Sequence, residues 1–225
     1  MFKNIIRKPF RYTFFHAVFW LIGINVLVFA LMMFFGSNVI GNMIIGGSRF
    51  RITISDIFAL IPAMVMKGWI WSFVTYMFMH GGITHLLFNM LGLFIFGRYI
   101  ERQMGSKEFL LYYFVTGILA GIFSFIIYFF TRDYAAALVG ASGALYAVQL
   151  AFAVYNPNAI IYIWGILPLR APIMVLVYTV LSIFFVITGG GGNVAHLTHL
   201  AGFGFGWLYF LLRFGVNPWR RLTGR

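Results

Sequence analysis

The chain contains no cysteine and few charged residues. Without cysteine, disulfides and thiolate sites are excluded. Only four residues are acidic, and charged residues make up 9% of the sequence, whereas soluble chains carry about 25%. No charged or Pro/Ser-rich linker and no internal repeat divides the chain, so we expect one domain over residues 1–225.

Hydrophobic residues make up 62% of the chain, and several apolar runs approach the roughly 20 residues that a membrane helix needs. We therefore predict an all-α polytopic membrane protein. The first run is too long for a signal peptide and has no small-residue cleavage site, so we expect a retained helix. Six transmembrane helices are predicted, at residues 14–35, 83–103, 108–130, 142–154, 167–188 and 195–213.

The net charge of +12 is distributed unevenly between the predicted loops. With the N-terminus inside, 12 of the 16 Lys and Arg residues lie on the inner side. The other four, Arg49, Arg51, Lys67 and Arg132, lie outside. This is the positive-inside bias of membrane proteins. It predicts a bilayer as the partner instead of nucleic acid, and both termini on the cytoplasmic side.

Two segments depart from a simple bundle. Residues 37–82 are too apolar for a solvated loop and predict short helices at the outer interface, where Trp69 and Trp71 are well suited. The fourth predicted span, 142–154, would be only about 20 Å long in a hydrocarbon core of about 30 Å. Ser142 would then lie inside the bilayer thickness, where irregular backbone must line a cavity or be buried in protein.

Ser142 lies in the stretch GASG, residues 140–143, at the start of this short span. Gly140 and Gly143 allow the chain to turn there. Small residues at such a position usually serve close helix packing. The stretch also differs from the hydrolase G-x-S-x-G motif, because residue 144 is Ala. Other polar residues must therefore support any catalytic interpretation.

Two further polar clusters are predicted at the same membrane depth. His85 and Asn89 share one helix face, and His196 and His199 lie near the start of the last span. Such residues could simply join helices by hydrogen bonds. A metal site is disfavoured because the histidine spacings do not match zinc motifs, and no cofactor is expected. Proton transport is also possible, although no acid lies in mid-membrane.

A serine and a histidine that meet at one depth form a nucleophile and a base. We predict His199 as the base, because Gly202 and Gly206 at +3 and +7 let its helix approach Ser142 closely. No acid is placed to orient the base, so a dyad is expected. Tyr146, one turn after Ser142, could pack against the imidazole.

The tetrahedral intermediate of such a reaction needs hydrogen-bond donors for its oxyanion. His85, the Asn89 amide and the backbone N–H of Ser142 are the predicted donors.

From about residue 70 to its end, the chain resembles the rhomboid family of intramembrane serine proteases. HGGITHLLFNM is similar to the family's H-x4-H-x3-N pattern, GASGALYA to G-x-S-G, and HLAGFGFG to H-x-x-G-x-x-x-G. GRYIERQMGSKEFLLYY and PNAIIYIWGILPLRAPIM resemble its connecting segments. Two departures are Ser72, where many members have Arg after Trp, and Ala201, where Gly is frequent.

The resemblance implies Ser142 as nucleophile, His199 as base, and His85 and Asn89 as oxyanion donors. It implies a serine endopeptidase that cleaves transmembrane segments of single-pass proteins, in a bacterial inner membrane and with its cavity open to the outside. A pseudoprotease that binds helices without cutting them, and a small channel or transporter, are the alternatives. Glycines 189–192 are expected to form a mobile cap beside the fifth span.

Overall fold

The computed structural model describes residues 7–45, 47–163, 165–188 and 193–223, so the run of glycines at 189–192 lies outside the described residues. Its main helices are α1 (Ala17–Phe35), α5 (Ile83–Met104), α6 (Ser106–Phe130), α7 (Ser142–Tyr155), α8 (Ala171–Thr188) and α9 (Asn193–Tyr209). Short helices are α2 (Ile54–Phe58), α3 (Pro62–Val65), α4 (Ser72–Thr75) and α10 (Pro218–Leu222). Two antiparallel hairpins pair β1 (Val39–Ile45) with β2 (Ser48–Thr53) and β3 (Ile160–Ile163) with β4 (Leu167–Arg170).

The all-α membrane fold is confirmed. Within the described ranges, four helices are long and apolar enough to cross a membrane: α1, α5, α6 and α8. The fourth predicted span is α7, which has only 14 residues. The sixth is α9, which continues in a wider helical turn over Phe210–Phe214.

The predicted start of the fifth span at residue 167 was wrong, because residues 167–170 form β4 and α8 begins at Ala171. Pro172 occupies the second position of α8, where its missing N–H breaks no helical hydrogen bond. Pro168 disfavours helical backbone at the residue before it. The two prolines thus explain a helix that starts late.

The long segment after α1 contains a hairpin that the sequence interpretation did not include. Short helices do follow it, as predicted, but residues 39–45 and 48–53 form β1 and β2. Met43 and Ile52 are buried and pack against Ala59, Ile61 and Met64. These contacts fix the hairpin to the loop helices. Between α3 and α4, Trp69 stacks on Trp71 at a ring distance of 5.5 Å.

Helix α7 lies at the centre of the bundle, and α5, α6, α8 and α9 pack around it. Its side chains are mostly small, and Ala147, Val148 and Ala151 are fully buried. Small side chains let backbones approach closely between membrane helices. The first residue of this central helix, Ser142, is therefore surrounded by the other elements.

Candidate active site

A tight turn brings Ser142 to the first position of α7. Gly140 has φ of +116°, which favours glycine, and its N–H donates to the carbonyl of Tyr76 at 2.9 Å. Ser142 is half-buried. Because it opens the helix, its N–H is one of the four that have no intrahelical acceptor. The serine therefore presents both a hydroxyl and an N–H without an intrahelical acceptor at a helix N-terminus, a position that favours negative charge.

His199 on α9 reaches this hydroxyl. Its Nε2 lies 2.8 Å from Ser142 Oγ, within hydrogen-bond distance. The imidazole stacks on the Tyr146 ring, with centroids 4.2 Å apart and planes 11° apart. Within the described part of the chain, the buried His199 Nδ1 has no hydrogen-bond partner. The ring is thus oriented by stacking and by its helix, without a hydrogen bond to a carboxylate of the described residues.

Close packing of α9 on α7 makes the contact possible. A Cβ at Gly202 would overlap the backbone carbonyl of Gly143. A Cβ at Gly206 would lie 2.6 Å from the Tyr112 hydroxyl and 3.1 Å from the Ala147 Cβ. At Gly143, a Cβ would lie 3.0 Å from the Ala120 Cβ on α6. The three glycines therefore let three helices converge below the serine.

His196 occupies a different environment from His199. Its ring stacks on Phe185 of α8, with centroids 4.9 Å apart, and it meets the His199 ring edge-on at 5.9 Å. The contact with Phe185 was not anticipated from the sequence, because only the packing of α8 against α9 brings the two rings together. Of the two histidines on α9, His199 is the one that contacts Ser142.

His85 lies against the turn that precedes Ser142. A Cβ at Gly140 would be 2.7 Å from His85 Nε2, so only a glycine lets the imidazole approach the backbone this closely. The N–H of Gly81 donates to His85 Nδ1 at 3.4 Å, a long bond. This bond favours the tautomer with its proton on Nε2. The N–H of a neutral imidazole then faces the turn at Gly140.

Asn89 is buried one turn further along α5, at 4% exposure. Its Nδ2 donates to the His85 carbonyl at 2.9 Å, a bond within its own helix. An amide nitrogen carries two hydrogens, so a second donor remains. Among the side chains that the structure describes, no hydrogen bond joins Asn89 to Ser142.

His80 lies beside the site, although it was not among the predicted site residues. The sequence did contain a sign of this position, because His80 is the first residue of the H-x4-H pattern. Its ring meets the His85 ring edge-on at 5.1 Å. Burial, with a smaller contribution from His85, lowers the pKa of His80 to about 4, so the ring is neutral at neutral pH. Among the residues that the structure describes, no three His, Asp or Glu side chains group as metal ligands.

Comparisons with known proteins identify the family of the chain. The rhomboid domain model matches residues 67–216. A putative rhomboid protease of Bacillus subtilis, YdcA, is 37% identical over 91 residues, which is 40% of this chain and 42% of that protein. The rhomboid protease GluP of the same organism is 38% identical over 101 residues, 45% of this chain and 19% of GluP.

A third relative, the rhomboid protease GlpG of Haemophilus influenzae, is 33% identical over 81 residues, 35% of this chain and 38% of that protein. The chain thus matches less than half the length of these curated relatives. The domain match nevertheless includes Ser142, His199, His85 and Asn89 and covers more than half of the sequence. The chain therefore belongs to the rhomboid family.

Proposed function

We propose that this protein is an intramembrane serine endopeptidase that cuts transmembrane segments of single-pass membrane proteins with a Ser142–His199 dyad. The observation that carries the proposal is the 2.8 Å contact between His199 Nε2 and Ser142 Oγ. A channel, or a module that only binds helices, needs no such pairing of a nucleophile with a base. The protease names of several relatives add support.

In the first half of the reaction, Ser142 Oγ attacks the carbonyl carbon of the scissile peptide while its proton passes to His199 Nε2. The carbonyl oxygen becomes an oxyanion. The Ser142 N–H, the His85 Nε2–H and the second Asn89 amide hydrogen are its proposed donors. The C–N bond then breaks, and His199 returns the proton to the leaving amine. The product is an ester between the acyl fragment and Ser142.

In the second half, His199 Nε2 takes a proton from a water molecule as that water attacks the ester carbonyl. The second oxyanion uses the same donors. Its collapse releases the carboxylic acid fragment, and the proton on His199 returns to Ser142 Oγ. Tyr146 stacks on the imidazole through both steps and limits its rotation.

The proposed setting follows from the charge distribution and the fold. We propose one membrane domain over residues 1–225, in a bacterial inner membrane, with both termini cytoplasmic and the dyad open to the outside. The uneven distribution of Lys and Arg supports this orientation. The backbone N–H groups of Ala17 and Val18 donate to the buried carboxylate of Glu101, which attaches α1 to α5 and supports a single domain.

The test is labelling with a serine-directed fluorophosphonate, together with cleavage of a single-span substrate in proteoliposomes. We expect wild type to label and to cleave, and Ser142→Ala to do neither while remaining folded. Ser37→Ala is the matched control, because Ser37 is exposed and lies just after α1. Cleavage by folded Ser142→Ala would refute the serine mechanism. A wild-type protein that binds the substrate without labelling or cleaving would indicate a pseudoprotease.

A further inference from the structure

We infer that Thr198 is a positioning residue for the base, and that Ser124 on α6 holds it in place; this inference rests on the proposed dyad. Thr198 Oγ1 lies 2.6 Å from Ser124 Oγ. Both side chains are buried, at 2% and 0% exposure. The bond joins α9 to α6 one residue before His199.

The two hydroxyls form a short chain with consistent donors. Thr198 Oγ1 can donate to the Val194 carbonyl at 2.7 Å, and Ser124 Oγ can donate to the Ala120 carbonyl at 2.8 Å. Each hydroxyl carries one hydrogen and can also accept. One of them therefore donates to its own backbone while the other donates across the helix interface. Both hydroxyls are therefore satisfied whether Thr198 or Ser124 is the donor of the interhelical bond.

Thr198 also contacts the helix of the nucleophile. A Cβ built on Gly143 would lie 3.3 Å from the Thr198 Cγ2 methyl, in tight contact. Gly143 directly follows Ser142. The Thr198 side chain is thus held between α6, through its hydroxyl, and the start of α7, next to its methyl. It fixes the depth of α9 relative to both helices at the level of the dyad.

A dyad without a third member makes this placement important. In a triad, a carboxylate on Nδ1 holds the imidazole in orientation. Here the described residues supply no partner for His199 Nδ1. The Tyr146 stack restricts the tilt of the ring but leaves it free to slide in the plane of the stack. A bond on the neighbouring residue resists sliding of α9, and a misplacement of about 1 Å can cost about 100-fold in rate.

The experiment uses Thr198→Val, Ser124→Ala, the double variant and Thr198→Ser in the full chain. When either hydroxyl is removed, the other can still donate to the backbone carbonyl of its own helix. Neither substitution therefore leaves a donor unsatisfied. We expect Thr198→Val to lower both kcat and the rate of fluorophosphonate labelling by about 10-fold to 100-fold with KM unchanged. Thr198→Ser should retain most of the rate, and the double variant should be no slower than the slower single variant.

Thr116→Val is the control, because Thr116 is also buried in α6 and its hydroxyl donates to the carbonyls of Tyr112 and Tyr113 in the same helix. It should label at the wild-type rate even if its thermal stability falls. Wild-type labelling rates in folded Thr198→Val or Ser124→Ala would overturn the inference, as would full additivity in the double variant. The proposed function fails separately, if wild type itself does not label.

Discussion

His196 and His199 differ little in sequence position, yet their surroundings give them different chemistry. His199 contacts Ser142 Oγ, whereas His196 stacks on Phe185. We expect His199→Ala to lose cleavage and labelling, and His196→Ala to keep measurable activity. The measurement is the initial rate of substrate cleavage at equal folded concentration. An active His199→Ala together with an inactive, folded His196→Ala would show that the assigned base is wrong.

Asn89→Ala tests the proposed oxyanion donor. Oxyanion donors act in the transition state, so we expect kcat to fall by about 10²–10³ with little change in KM. Asn25→Ala is a matched control, because Asn25 is buried in α1 and its Nδ2 makes the same bond, to the carbonyl four residues earlier. That variant should keep wild-type kcat. A rise in KM alone for Asn89→Ala would contradict the role of a transition-state donor.

Much of the candidate site could be predicted at this scale from spacing and residue type. The +3 and +7 glycines favoured His199, and the geometry places that residue beside Ser142. The bond between Asn89 and its own helix and the bond between Ser124 and Thr198 could not be predicted. The side-chain rotamer of Asn89 decides the first bond, and the relative rotation of α6 and α9 decides the second. Neither is encoded in a local motif.

Among the elements, the packing of α9 on α7 sets how closely the base approaches the nucleophile. Gly202→Ala would bring a methyl group against the Gly143 carbonyl and push the two helices apart. We expect a large loss of cleavage and lower thermal stability, since overpacking typically costs about 1–3 kcal/mol.

Gly204→Ala is the control for this prediction, because nothing lies within 4 Å of the Cβ that it would add. It should keep wild-type activity and stability. For both variants, the measurements are the thermal unfolding temperature in detergent and the rate of substrate cleavage. Equal effects of the two substitutions would mean that close approach at Gly202 is not required.

The helices could be predicted because apolar runs in a membrane protein are long and unambiguous. The β1–β2 hairpin could not, because Met43 and Ile52 are the only buried residues among the strand residues whose burial the structure describes. The residues of β4, Leu-Pro-Leu-Arg, continue an apolar run, and for this reason the sequence predicts a helix start at residue 167. The local pairing of β3 with β4 makes these residues a strand despite their apolar composition.

On the scale of the whole molecule, the dyad and the ion pair of Glu108 with Arg213 lie at opposite ends of the last long helix. His199 lies toward its start, and Tyr209 and Arg213 follow 10 and 14 residues later, about 15–21 Å along the helix. The carboxylate of Glu108 on α6 accepts hydrogen bonds from Tyr209, from Arg213 and from the backbone N–H of Phe10. Glu108 thus joins chain segments at this end. At the other end, no carboxylate of the described residues forms a hydrogen bond with the dyad.

Glu108→Gln should therefore separate stability from catalysis. The substitution keeps the shape but removes the carboxylate charge that faces the Arg213 side chain, which is only 12% exposed. Breaking a buried pair costs about 3–5 kcal/mol, so we expect a large drop in the free energy of unfolding. Labelling of Ser142 per folded molecule should not change, because the pair lies several helical turns from the dyad. Lys107→Gln, at an exposed neighbouring position, should affect neither quantity. A stable Glu108→Gln with slow labelling would instead show that the ion pair is coupled to the dyad.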